Sequence, residues 1–191
     1  MPFAYYDRLS RRDRAIYDQS DRIVRLGLPG AEELRPLAER LRAALQLDDR
    51  RAVEVVAGQL TREIVDRLAV PPVDVGVLAV RPSLREAELH GLYTRDGVRR
   101  PRIRVWMRTV RYRRVVAFRT FLRTLLHEVC HHLDYTYLKL DDSFHTEGFF
   151  KRESSLFYQL VPREEGRSRP AGSVRSIAVQ DEDGQLGERG E

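Results

Sequence analysis

The chain has 191 residues, a formal charge of +5, and 42% hydrophobic and 33% charged residues. That length suits one sizeable core or a core with an appended lobe, and the composition is that of a soluble globular protein rather than a fibrous or membrane-embedded one. A single cysteine, Cys130, excludes an internal disulfide and any four-cysteine zinc module.

Residues 7–27 are predicted as the first helix. Leu9, Ile16, Ile23, Val24 and Leu26 recur near the helical period among charges, and Gly27 with LPG at 28–30 stops it. A second helix is expected over 31–46, with Leu34, Leu37, Leu41, Ala44 and Leu45 on one side. A third runs from Asp49 to Leu68 through Val53, Val56, Leu60 and Ile64, and Pro71-Pro72 closes it. Together they form an N-terminal helical lobe, residues 1–70, with a shared apolar seam.

The pattern then changes. VDVGVLAV at 73–80 reads as a strand, and ELHGLYTRDG at 88–97 as a second strand entering an Asp96-Gly97 turn. RIRVWM at 102–107 alternates, with Ile103, Val105 and Met107 on one side and Arg102, Arg104 and Trp106 on the other. A long helix is predicted from near Arg113 past Leu133, striped by Phe118, Leu122, Leu125, Val129 and Leu133. A last helix covers 146–160, and Pro162 ends it. Residues 163–191 lack periodicity, and a disordered tail is expected. The fold class is therefore α+β, a helical lobe followed by a second domain at 73–162. The opening stretch MPFAYYDRLSRRDRAIY has no apolar signal region, and the longest apolar run of note, VGVLAV at 75–80, is too short to span a bilayer. A cytoplasmic location without membrane contact is expected.

Three of the five histidines lie within LLHEVCHHLDY, residues 125–135. His127, Glu128 and His131 make an H-E-x-x-H pattern inside the predicted long helix. Positions i and i+4 share one face, so two imidazoles there can converge on one zinc ion. Glu128 is turned about 100° away, where it can reach a water rather than the ion. Catalytic zinc needs a third protein ligand. His145, 14 residues beyond His131, is the candidate if LKLDDSF at 138–144 turns the chain back; Glu147 or Glu153 is the alternative. His132 is placed beside the site or in solvent, at hydrogen-bonding distance from Glu128. Asp134 can orient an imidazole or stand solvated. Cys130 points away from the metal face and reads as a small buried residue. The pattern also admits a polar helix face that holds no metal.

The stretch HEVCHHLDYTYLKLDDSFHTEGFF resembles the SprT-like zinc metallopeptidases and their compact zincin relatives. In that family a third histidine opens the helix after the two-histidine motif, and an aromatic follows it. His127, Glu128, His131, His145 and Phe149 match by position. The resemblance covers about residues 73–160 and not the N-terminal helices. Thr146 stands where a glycine commonly follows the third histidine, and with Cys130 alone no cysteine-rich zinc module accompanies the match. The resemblance implies a zincin-like domain in which His127, His131 and His145 hold Zn²⁺. It also implies peptide-bond hydrolysis, with Glu128 taking a proton from water and passing it to the leaving amine. Tyr135, Tyr137, Tyr158 and several arginines are candidates to stabilise the developing negative charge.

Residues 81–125 carry thirteen arginines against Glu86, Glu88 and Asp96, a net +10, which leaves −5 on the rest of the chain. Trp106 and Tyr112 are interleaved, so this segment can track a nucleic-acid backbone, or it is a solvated face on an arginine-biased protein. A zinc metallopeptidase acting on protein or peptide is the leading expectation. The alternatives are a non-catalytic zinc-stabilised interaction module and an arginine-rich nucleic-acid binder.

Overall fold

Ser10 sets the start of the first helix. Its hydroxyl accepts from the Asp13 N–H, and α1 occupies Arg11–Arg22. Tyr6–Arg8 makes a separate 3-10 turn. The structure is a computed structural model, and it describes residues 3–80, 91–109 and 112–162; the expected tail at 163–191 and the start of the strand expected at 88–97 lie outside them. α1 is shorter than the helix expected over 7–27. The buried Arg152 guanidinium takes the carbonyls of Ser20 and Ile23, both at 2.6 Å. The chain leaves Ile23 extended, before the glycine that was expected to end the helix.

Gly30, at φ 59°, turns the chain into a 3-10 segment at Ala31–Leu34, and this continues as α2, Arg35–Gln46, with Pro36 in its first turn. α3, Arg50–Arg67, starts where Asp49 accepts from the Ala52 N–H. Its Val53, Ala57, Leu60 and Ile64 are fully buried.

Three strands follow: β1 (Asp74–Val80), β2 (Gly91–Thr94) and β3 (Arg102–Arg108). β3 lies between the others, parallel to β1 and antiparallel to β2. Ile103, Val105 and Met107 are fully buried, as their alternation predicts. Trp106 departs from that reading, being only 6% exposed; its cross-strand neighbour on the same face is apolar Leu78. The outer edge of β1 is closed by α3. Glu54 accepts from the Val77 N–H at 2.8 Å, and Arg50 donates to the Val77 carbonyl at 2.9 Å. Among the described residues β2 is paired on one side only.

The long helix α4 spans Phe118–Thr136, not from near Arg113. The β-branched pair Val115-Val116 extends the strand instead: Val115 bridges to Arg108, and the Val116 N–H donates to the Met107 carbonyl. Arg113 turns the chain there at φ 47°. α5, Glu147–Leu160, is capped by Thr146, whose hydroxyl accepts from the Phe149 N–H. Thr146 thus has a structural use where a glycine was expected. Glycine is needed two positions on, because a Cβ at Gly148 would strike the Asp21 carbonyl of α1.

The fold is α+β, with a mixed three-stranded sheet and five α-helices among the described residues. One cluster of buried apolar side chains runs from Leu34 and Leu41 through Leu60 and Val77 to Leu125, Val129 and Phe157. The helices of 1–70 and the elements of 73–162 contribute to it together. No described helix is long and apolar enough to cross a membrane.

Candidate metal centre

α4 buries Leu122, Leu125, Leu126, Val129 and Leu133, which fixes its rotation against the sheet and α5. That rotation turns His127 and His131 toward the segment before α5. The turn expected at 138–144 forms, with Lys139 at φ 56° and the Leu140 N–H bonded to the Asp134 carbonyl. It returns the chain so that His145 meets the pair. The Nε2 atoms of His127, His131 and His145 lie 3.0, 3.1 and 3.2 Å from one another. No other His, Cys, Asp or Glu among the described residues joins this group.

The second nitrogen of each α4 imidazole is engaged. Ser143 Oγ donates to Asp134 Oδ2 at 2.7 Å, so it accepts from His131 Nδ1–H at 2.8 Å. His127 Nδ1 faces Glu153 Oε2 at 3.4 Å, and a carboxylate only accepts. With Nδ1 of each ring engaged in this way, the Nε2 atoms are left to face one another. Three imidazoles so placed could hold a metal ion. Tetrahedral zinc with Zn–N near 2.0–2.1 Å requires nitrogens about 3.3–3.4 Å apart, close to the spacing here. Burial, and then the neighbouring imidazoles, hold His131 well below its ordinary pKa and His145 at about 4, so both are in the neutral form that ligates metal. Phe149, fully buried, packs against all three rings at 4.7 to 5.2 Å. Tyr5, from the N-terminal segment, donates to the His145 carbonyl at 3.0 Å.

Glu128 is 5% exposed. Its side chain lies against β2, accepting the Tyr93 N–H. A Cβ on Gly91 would overlap Glu128 Oε1, Cγ and Cδ, so glycine makes room for this carboxylate. Burial pushes its pKa up to about 7, opposed by His127 and by the Tyr93 bond.

The remaining candidates separate clearly. Glu153 holds His127 from behind and also pairs with Arg123 at 3.0 Å. Glu147 is exposed and pairs with Lys151 at 2.7 Å. Neither carboxylate joins the three imidazoles. His132 is fully buried and does not bond Glu128; it is held by the Pro71 carbonyl at 2.8 Å and Tyr93 Oη at 3.1 Å. Asp134 is not a solvated acid. It is fully buried and bonded to Ser143 and to Arg152 Nη2, and so acts on His131 through Ser143. Cys130 is a buried free thiol. Tyr135 donates to Asp142; Tyr137 is 45% exposed; Tyr158 packs edge-on to Phe157. The tyrosine that lies along the His131 ring is Tyr93, with centroids 6.5 Å apart. Tyr93 belongs to no motif, yet strand alternation puts Gly91 and Tyr93 on the face of β2 shared with Ile103 and Val105, where α4 packs.

Among the described residues, the arginines of 91–125 do not all lie on one surface. Residues 81–90, 110 and 111 lie outside the described residues. Arg108 pairs with Asp48, and Arg119 and Arg123 stack on Phe157. Trp106, being buried, offers no stacking surface. Comparison with protein-family models, curated proteins and solved structures found no match.

Proposed function

We propose that the chain is a zinc-dependent metallopeptidase with a SprT-like, zincin-type site. The observation that carries this reading is the convergence of three Nε2 atoms within 3.2 Å of one another. His127, His131 and His145 are the residues that would hold the ion. Zinc bound by three imidazoles supplies Lewis acidity, polarising a carbonyl and lowering the pKa of a water toward neutrality. Glu128 is the proton carrier: it takes a proton from the attacking water and delivers it to the leaving amine. Tyr93 N–H and the room left by Gly91 hold that carboxylate in place. Asp134 and Ser143 fix the His131 tautomer, and Phe149 shields the ligand rings from water. Among the described residues β2 is paired on one side only, and backbone groups other than the Tyr93 N–H, which Glu128 takes, are left for an extended peptide beside Glu128. A structural zinc site usually closes with four protein ligands; three imidazoles with a carboxylate beside them favour hydrolysis.

The test is cleavage of an unfolded protein by the zinc-loaded chain. Cleavage should stop on chelation and return when zinc is restored. Cleavage indifferent to chelation, or none across a broad peptide mixture, contradicts the reading.

A further inference from the structure

β2 runs from the candidate base to a strongly basic cleft. Gly91 touches Glu128 at one end; at the other, Thr94 and Arg95 enter a cleft of about 420 Å³. Arg95, Arg99, Arg100, Arg102 and Arg104 line it. Two carboxylates share the cleft but leave most of this charge unmet. Asp74 pairs with Arg100 at 3.3 Å. Asp96 is spent on the turn, accepting the Val98 and Arg99 N–H groups. Among the described residues, no carboxylate pairs with Arg95, Arg99, Arg102 or Arg104.

The cleft is joined to the metal centre. The Arg95 guanidinium lies 3.8 Å above the Tyr135 ring, Tyr135 stacks on Tyr93 at 6.1 Å, and Tyr93 on His131 at 6.5 Å. Arg95 is thus within roughly 16 Å of the His131 ring, the reach of about five extended residues. Arg102 and Arg104 face outward on β3, opposite Thr94 and Leu92 of β2. A peptide added to the side of β2 that is unpaired among the described residues would send alternate side chains to that same face.

We propose that this cleft is a subsite for acidic side chains of an extended peptide substrate, within about five residues of the cleaved bond and on one side only. The role as a substrate subsite rests on the peptidase reading; the affinity for carboxylates does not. Guanidinium forks match carboxylates geometrically. Nucleic acid fits less well. Single strands need aromatic platforms, and no aromatic side chain lines the cleft; Tyr93 and Tyr135 are stacked against each other.

The test uses the full zinc-loaded chain at physiological salt. The probe is a fluorescent peptide with Asp and Glu at alternate positions, set against its Asn/Gln twin. Anisotropy should show the acidic peptide bound roughly tenfold tighter or better. Arg102→Glu with Arg104→Glu should abolish the preference, while the exposed pair Arg51→Glu with Arg62→Glu should keep it. Equal binding of the twins, an equal loss in the Arg51/Arg62 variant, or tighter binding of a single-stranded oligonucleotide would overturn the proposal. Cut sites in an unbiased peptide mixture then separate the two claims. Acidic enrichment on one side of the cut supports the subsite, and cutting without enrichment overturns it alone. Selective binding with no cutting overturns the peptidase reading and leaves the carboxylate site standing.

Discussion

Glu128→Gln retains one zinc per chain and loses about 10²–10⁴-fold in hydrolytic rate, the usual contribution of a positioned acid–base group. The substitution isolates the proton. Gln has the shape of Glu, so it fits the space above Gly91, and its carbonyl can still accept the Tyr93 N–H. The three imidazoles keep their own partners, because none of them is held by Glu128. Only the capacity to carry a proton is gone. The check is kcat measured beside zinc content on the same preparation. Turnover within a few-fold of the unsubstituted chain would remove Glu128 from the chemistry.

Arg152→Met destabilises the fold by about 3–5 kcal/mol, because it leaves a carboxylate buried without its ion partner. Both side chains of the Arg152–Asp134 pair are fully buried at 2.9 Å. The guanidinium also takes the Ser20 and Ile23 carbonyls and Ser20 Oγ, so one side chain ends α1 and supports the three-histidine cluster. Against a total stability of about 5–15 kcal/mol, that loss is large. Removing both charges, with Asp134→Leu and Arg152→Met, should recover much of the stability. It should not recover zinc affinity. Ser143 then lacks its acceptor, His131 loses its fixed tautomer, and binding weakens about 10–100-fold. Urea unfolding and a zinc competition titration measure the two effects separately. A single Arg152→Met cost below about 1 kcal/mol would show that the pair does not support the structure as described.

What could be read from the sequence was mostly local. His127 and His131 follow from helical spacing alone, and Ile103, Val105 and Met107 from strand alternation. His145 was a candidate beside Glu147 and Glu153 because the path of 138–144 depends on long-range contacts; those contacts bring the imidazole in and set both carboxylates elsewhere. The missed features share that cause. The end of α1 is fixed by Arg152, 129 positions from Ile23. α4 starts late because Val115 pairs back to Arg108. Tyr93, Ser143 and Gly91 carry no motif, and their use appears only once β2 and the loop lie against α4. Trp106 lies on the face that alternation assigns it, but alternation does not say what covers that face, and its burial appears only in the fold.

The most direct measurement is zinc content by elemental analysis of the purified full chain beside His145→Ala, with folding checked by circular dichroism. The account predicts one zinc per chain, lost in the folded variant. A folded chain without zinc, or a His145→Ala variant that keeps its zinc at unchanged affinity, would contradict it.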